Sequence, residues 1–180
     1  ILQGDMAHAE SLLPQVPSAQ RGKIAKFLEA QSMPDLALSV ATDPDHRFDL
    51  AVQLGQFDVA LDIARHGPAS GAEMRWRTIG DQALAHWDVA LAQECFKHAN
   101  DVHSLFLVAT AQQDEALLRH VAEAARAKGE LNLAVAALVQ LQDTRGVVDV
   151  LMQAQRLPEA ALFARTYAPH LVPETVRAWK

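Results

Sequence analysis

Residues 55–61 read GQFDVAL, and residues 85–91 read AHWDVAL. An aromatic residue followed by Asp, Val, Ala and Leu therefore recurs in the same order thirty positions later. Internal similarity at a period of roughly 20–50 residues is typical of repeat proteins. We interpret each stretch as the corner of a helical hairpin, where one short helix ends and the next begins.

This interpretation assigns a role to each shared residue. Phe57 and Trp87 are predicted to fill the two corners, and Ala60 and Ala90 to let the paired helices approach closely. We interpret Asp58 and Asp88 as first-turn acids, because the N-terminus of a helix favours negative charge. A looser echo at residues 157–162 places Ala160 in the position of Ala60.

The apolar pattern is helical along almost the whole chain. Leu131, Ala134, Val135, Leu138 and Leu141 follow the i, i+3, i+4, i+7 spacing that gathers side chains on one helix face. No run of four or more residues alternates cleanly between apolar and polar with β-branched or aromatic enrichment. The sequence therefore predicts an all-α fold.

Breaks between helices come at short intervals, and most contain Pro, Gly, Asn or Asp. They predict about ten or eleven helices of 8–16 residues, paired as antiparallel hairpins, and Pro14 and Pro17 are expected to end the first. We expect residues 1–180 to be a single helical-repeat segment with a soft break at residues 67–71. Because the chain begins at Ile1, we interpret it as part of a longer polypeptide.

One unit comes close to the tetratricopeptide pattern. Trp76, Gly80 and Ala83 on one helix, then Ala92 and Phe96 on the next, follow most of its skeleton. Ala83 replaces the usual Tyr and the closing Pro is missing, so the unit is degenerate. Together these observations predict an α-solenoid of degenerate TPR-like hairpins. The predicted packing residues are Phe57, Ala60, Trp76, Gly80, Trp87, Ala90, Phe96 and Ala160.

Composition excludes several classes of protein. The 16 Lys and Arg against 22 Asp and Glu give a net charge of −6, and no basic run marks a nucleic-acid binder. No apolar stretch approaches the roughly 20 residues of a membrane span. The single cysteine cannot form an intramolecular disulfide and favours a reducing compartment.

Two chemical sites deserve weighing against simple packing. Cys95 and His98 stand at i, i+3 with His103 nearby, but zinc requires about four ligands and no second cysteine exists. The ionisable cluster at residues 43–47 is explained by helix capping, so we predict no catalytic residue, no metal and no cofactor. His46 and Arg47 are candidates for contact with a partner chain, as is Trp179 near the C-terminus.

The sequence also resembles a known family. Residues 23–64, KIAKFLEAQSMPDLALSVATDPDHRFDLAVQLGQFDVALDIA, are similar to the helical region of the β′ subunits of coatomer, the coat of COPI vesicles. The most specific pieces, here and further along the chain, are residues 27–29, 42–51, 54–55, 73–76, 91–95, 104–107, 129–134 and 156–167. Generic similarity between solenoids would not retain turn residues such as those at 42–47.

The resemblance implies a function that spacing alone does not. In this family two β-propellers, which recognise dilysine signals on cargo, precede a non-catalytic solenoid. That solenoid pairs with the coatomer α subunit and joins the other subunits on the cytosolic face of Golgi membranes and COPI-coated vesicles. Membrane association is peripheral, through the coat, in Golgi-to-ER and intra-Golgi transport. The alternatives are an adaptor solenoid of another propeller-plus-solenoid trafficking protein, such as an intraflagellar-transport subunit, and a metal-dependent enzyme domain.

Overall fold

The computed structural model describes residues 17–180, and within them it contains α-helices, one 3₁₀ turn and no strand. The first predicted helix, ended by Pro14 and Pro17, lies outside the described residues. The prediction of an all-α fold is confirmed. The chain divides into two compact units, one up to Cys95 and the other Phe96–Lys180, with the boundary inside a helix.

Twelve α-helices lie in the described residues, slightly more than the ten or eleven expected, since several are only 7–10 residues long. The first unit contains α1 (Ser18–Ala30), α2 (Pro34–Val40), α3 (Pro44–Gln53), α4 (Phe57–His66) and α5 (Ala72–Ala85), and α6 (Val89–His98) spans the boundary. The second contains α7 (Val102–Gln112), α8 (Glu115–Lys128), α9 (Leu131–Gln140), α10 (Thr144–Gln153), α11 (Leu157–Tyr167), a 3₁₀ turn (Pro169–Leu171) and α12 (Val172–Trp179).

Neighbouring helices pair within each unit. In the first unit α1, α2, α3 and α4 each contact the next helix, and α3 also contacts α5. In the second unit α7 to α12 do the same, and α7 also contacts α9. Contacts with the next helix and the next but one are the packing rule of an α-solenoid, whose repeats touch only their neighbours.

One turn geometry recurs at eight of the corners. Each has a residue with a left-handed backbone, at φ between 51° and 76°, one or two residues beyond the end of a helix. At the corner after α3 the N–H of Gly55 donates to the carbonyl of Val52 (3.1 Å), and that of Gln56 to the carbonyl of Ala51 (2.8 Å). This pair of bonds defines a Schellman turn, which satisfies carbonyls that the helix end leaves free. The left-handed residues are Ser32, Gly55, Trp87, Asn100, Gln113, Gly129, Gln142 and Gln155.

The buried positions lie at fixed sequence distances from the left-handed residue of each corner. The residue four before each left-handed residue is at most 8% exposed: Leu28, Ala51, Ala83, Phe96, Ala109, Ala125, Leu138 and Leu151. The residue five after it is at most 5% exposed: Ala37, Ala60, Ala92, Leu105, Leu118, Ala134, Val147 and Ala160. Because the turn fixes the direction of both helices, it also fixes which of their positions meet.

The register corrects one of the sequence interpretations. The left-handed residue is Gly55 in GQFDVAL but Trp87 in AHWDVAL, so the repeated letters lie two residues out of phase with the repeated structure. The structural counterpart of Ala60 is therefore Ala92, and both are fully buried. The predictions for Trp87 and Ala90 were wrong, because Trp87 is 87% exposed and Ala90 is also exposed.

The same shift separates the two aspartates. Asp58 lies in the first turn of α4, as predicted. Asp88 instead precedes α6, and its carboxylate accepts a hydrogen bond from the N–H of Leu91 at 3.0 Å. Asp101, Asp114 and Asp143 cap later helices in the same way, each bonding the N–H three residues on.

Substitutions at Ala92 and Ala90 test this register. Leu at position 92 would crowd a fully buried site, so we expect Ala92→Leu to lower the free energy of unfolding by roughly 1–3 kcal/mol. Ala90→Leu serves as the matched control and should stay within about 0.5 kcal/mol of the parent. Urea unfolding followed by circular dichroism measures both, and a larger loss for Ala90→Leu than for Ala92→Leu would contradict the register.

Candidate protein-interaction surfaces

Most of the predicted packing residues lie inside the helical stack. Ala60, Phe96 and Ala160 are fully buried, Trp76 is 6% exposed, and Gly80 is buried. They therefore face neighbouring helices and are not available to a partner.

Phe57 has a different environment. Its ring is half-buried and meets His86 edge-on, with 5.7 Å between ring centroids. This contact joins the corner before α4 to the corner after α5, so side chains of these two turns lie side by side in the first unit.

The predicted partner residues on α3 differ in accessibility. Nε2 of His46 lies 2.9 Å from Oε2 of Glu29, and the His46 side chain is only 13% exposed. His46 therefore links α3 to α1, whereas Arg47 points to solvent. Arg47 remains a predicted partner contact.

Trp179 lies in the last turn of α12 and is 55% exposed. α12 has one buried residue, Thr175, whose hydroxyl donates to backbone carbonyls of the preceding turn. The exposed indole keeps Trp179 a candidate for partner contact.

A buried arginine organises the loop at residues 67–71, the longest in the described part of the first unit. Arg75 is 6% exposed, and its guanidinium donates to the carbonyls of Pro68 (2.8 Å) and Ser70 (2.9 Å). It also donates to Oδ1 of Asp45 at 3.0 Å, on α3. The planar guanidinium can donate to the two carbonyls and to the carboxylate together, and it suits this arrangement better than the ammonium group of a lysine would. The family resemblance at residues 73–76 includes Arg75, but its burial was not predicted because arginine is ordinarily exposed.

Removing the guanidinium should loosen the loop at residues 67–71. We expect Arg75→Ala to lower the free energy of unfolding by roughly 1–3 kcal/mol, because two carbonyls and Asp45 lose a donor. Asp45→Asn is the control and should lose less than about 1 kcal/mol, since the Asp45 side chain is 71% exposed. Chemical denaturation measures the loss for both variants, and hydrogen exchange reports on the loop amides. A loss for Arg75→Ala no larger than that for Asp45→Asn would contradict this account.

Cys95 packs in the core of the helical stack. Its side chain is fully buried, and burial raises the pKa of the thiol from 9.0 to about 11. A thiol that stays protonated at neutral pH is a poor nucleophile and metal ligand. Within residues 17–180 no group of three or more His, Cys, Asp and Glu side chains is arranged to hold a metal ion.

The raised pKa of Cys95 predicts a loss of stability at high pH. The unfolded thiol ionises near pH 9 while the folded one keeps its proton, so the stabilisation is complete below pH 9 and is lost as the pH rises toward 11. Between pH 8 and pH 11, the parent should lose at most about 3 kcal/mol more than Cys95→Ala. Urea titrations of both proteins at the two pH values measure the difference, and parallel losses would refute it.

An apolar groove opens on the second unit near the C-terminal ends of α9 and α11. Its volume is about 350 Å³, and its lining comprises Leu138, Val139, Gln142, Asp143, Thr144, Val147, Phe163 and Tyr167. The rings of Phe163 and Tyr167 pack with centroids 4.9 Å apart. Val139 is 50% exposed and Tyr167 64%, so the groove can accept an apolar side chain from solvent.

Arg156 connects two hairpins of the second unit. Arg156 bonds Glu159 in the next turn and Oδ1 of Asn132 on α9 (2.6 Å). The Arg156 guanidinium holds the pKa of Glu159 below its ordinary value. Both side chains reach solvent, where such pairs contribute little to stability.

These features define the class of protein. Short helices pair at repeated turns, and polar side chains cap or bridge these helices. Several large apolar side chains remain exposed to solvent. None of the helices in residues 17–180 is both long and apolar enough to cross a membrane. The chain is a helical-repeat scaffold of the kind that offers surfaces to other proteins.

Comparison with known proteins identifies the family. The family described as COPA/B TPR domain matches residues 1–180, and the chain belongs to it. Over all 180 residues the chain is 38% identical to coatomer subunit beta′ of Drosophila melanogaster and 36% identical to that of Homo sapiens. It is also 38% identical to coatomer subunit beta′-2 of Oryza sativa subsp. japonica. The chain spans 19–20% of the length of these relatives.

The resemblance to coatomer β′ subunits is thereby confirmed. These relatives favour the coatomer family over the intraflagellar-transport alternative.

Proposed function

We propose that this chain is a structural, non-catalytic segment of the COPI coat and offers protein-binding surfaces for coat assembly. The observation that carries the proposal is the match of the COPA/B TPR domain family to every residue of the chain. Paired helices with buried contact positions support it, because such a stack leaves its exposed side chains available to a partner.

The proposal extends to partners and location. The coatomer α subunit is the direct partner, and other coatomer subunits join in the assembled coat. The chain works on the cytosolic face of Golgi membranes and COPI-coated vesicles, in Golgi-to-ER and intra-Golgi transport. Its membrane association is peripheral and occurs through the coat, without insertion of its own and without binding nucleic acid.

Association with the α subunit tests the proposal directly. The chain is mixed with the helical region of a coatomer α subunit, and the mixture is analysed by size-exclusion chromatography with light scattering. We expect a stoichiometric complex at micromolar concentrations, as for a specific interface of standard size. If the two proteins elute separately at those concentrations, this segment does not form the α-subunit contact.

Surface variants locate the interface within the same experiment. Arg47→Ala and Trp179→Ala remove the two exposed side chains predicted to contact the partner, and Lys97→Ala removes an exposed cation that was not predicted to do so. We expect weaker association for at least one of the first two and unchanged association for the third. Equal association by all three would refute these two contacts while leaving the coat role intact.

A further inference from the structure

Trp87 is an exception among the eight left-handed residues. The other seven are Gly, Ser, Asn or Gln, whereas Trp87 places a large aromatic side chain on a backbone with φ of 61°. A bulky residue is disfavoured there, because its Cβ crowds the following carbonyl. Such an outlier is a reason to look for a function at that position.

Packing does not compensate for this conformation. The Trp87 side chain is 87% exposed, the largest value among the exposed large apolar residues in the described part of the chain. Because the ring is scarcely removed from water, its burial contributes little to folding. Trp is also among the residues most enriched at the hot spots of protein interfaces, which contribute most of the binding energy.

The surroundings of Trp87 extend the aromatic surface. His86 is exposed, and its ring contacts Phe57 of the neighbouring corner at 5.7 Å. Three aromatic side chains from two adjacent turns therefore lie at one end of the hairpins in the first unit. We call residues 57, 86 and 87 the aromatic corner.

The chain segments on either side of the aromatic corner carry acidic residues. Residues 48–64 contain three aspartates and residues 78–96 contain two aspartates and one glutamate, and neither stretch contains Lys or Arg. Asp58, Asp81 and Asp88 are all exposed. Exposed carboxylates in the segments beside an exposed indole attract a cation, which the face of the indole also favours through cation–π interaction.

We propose that the aromatic corner binds a basic segment of a partner protein, with Trp87 as the anchor. The indole contacts an Arg or Lys side chain and its aliphatic stem, while Asp58 and Asp81 attract the positive charge. An anionic bilayer is a poor occupant, because the same carboxylates are repelled by its negative surface potential. The proposal goes beyond the coat role and does not depend on which subunit carries the basic segment.

The direct test uses a fluorescein-labelled peptide in which arginines alternate with leucine and alanine. A second peptide replaces every arginine by citrulline, which keeps the shape and removes the charge. We expect the arginine peptide to bind the chain at least tenfold more tightly than the citrulline peptide, by fluorescence anisotropy. Equal binding of the two peptides would overturn the proposal.

Variants assign the binding to Trp87. Trp87→Asn introduces the residue found at the corresponding position 100, and should weaken arginine-peptide binding at least tenfold. Met74→Asn removes another exposed apolar side chain of the same unit and should leave binding unchanged. The Asp58→Asn, Asp81→Asn double variant should weaken binding and reduce its salt dependence. Binding by Trp87→Asn as tight as the parent would contradict the assignment.

A stability measurement separates a binding role from a folding role. Because Asn tolerates a left-handed backbone, Trp87→Asn should keep the Tm of the parent or raise it by about 2–4 °C. A lower Tm would show that Trp87 stabilises the fold and would overturn the proposal. So would Trp87-dependent dimers in analytical ultracentrifugation, or tighter binding to phosphatidylserine vesicles than to the arginine peptide.

Discussion

The left-handed turn between successive helices is the constraint on which this structure depends. At each of the eight corners, one residue with a positive φ directs its own N–H and the next one back to carbonyls of the finished helix. The chain thereby reverses within a few residues, and the positions four before and five after the turn are brought inside. Hydrogen bonding sets the direction of each helix pair, and apolar burial then stabilises that direction.

Because backbone hydrogen bonds set the turn and apolar burial stabilises it, neither role requires one particular residue, and the repeats can be degenerate in sequence. Leu, Ala, Phe and Val all serve at the two buried positions, and Gly, Asn, Gln, Ser and Trp all serve at the turn. In the second unit the left-handed residues 100, 113, 129, 142 and 155 are spaced 13, 16, 13 and 13 residues apart. One extra helical turn in α8 is therefore accommodated without changing the corner, because each corner is closed by local bonds.

A scaffold held together at its corners can vary its exposed surface with little effect on the fold. The indole of Trp179 and the aromatic corner lie on residues outside the two buried positions of each corner, and the groove between α9 and α11 exposes Val139 and Tyr167 beside the buried Leu138 and Val147. Arg75 shows the opposite case. Its guanidinium donates hydrogen bonds to carbonyls of the loop at residues 67–71 and is therefore not available to a partner. Exposed positions can therefore change while the helix pairs stay fixed.

The sequence by itself determined the all-α class, the short paired helices and the family. Those properties are carried by 3.6-residue periodicity, by turn residues, and by specific stretches such as residues 42–51. The exact phase of each corner was decided only in three dimensions. The letters of GQFDVAL and AHWDVAL match, yet Gly55 and Trp87 are the residues that turn, so Ala92 is buried and Ala90 is not. Residue identity constrains a turn only weakly, whereas its position depends on which N–H groups reach which carbonyls and on which neighbouring helix covers each face.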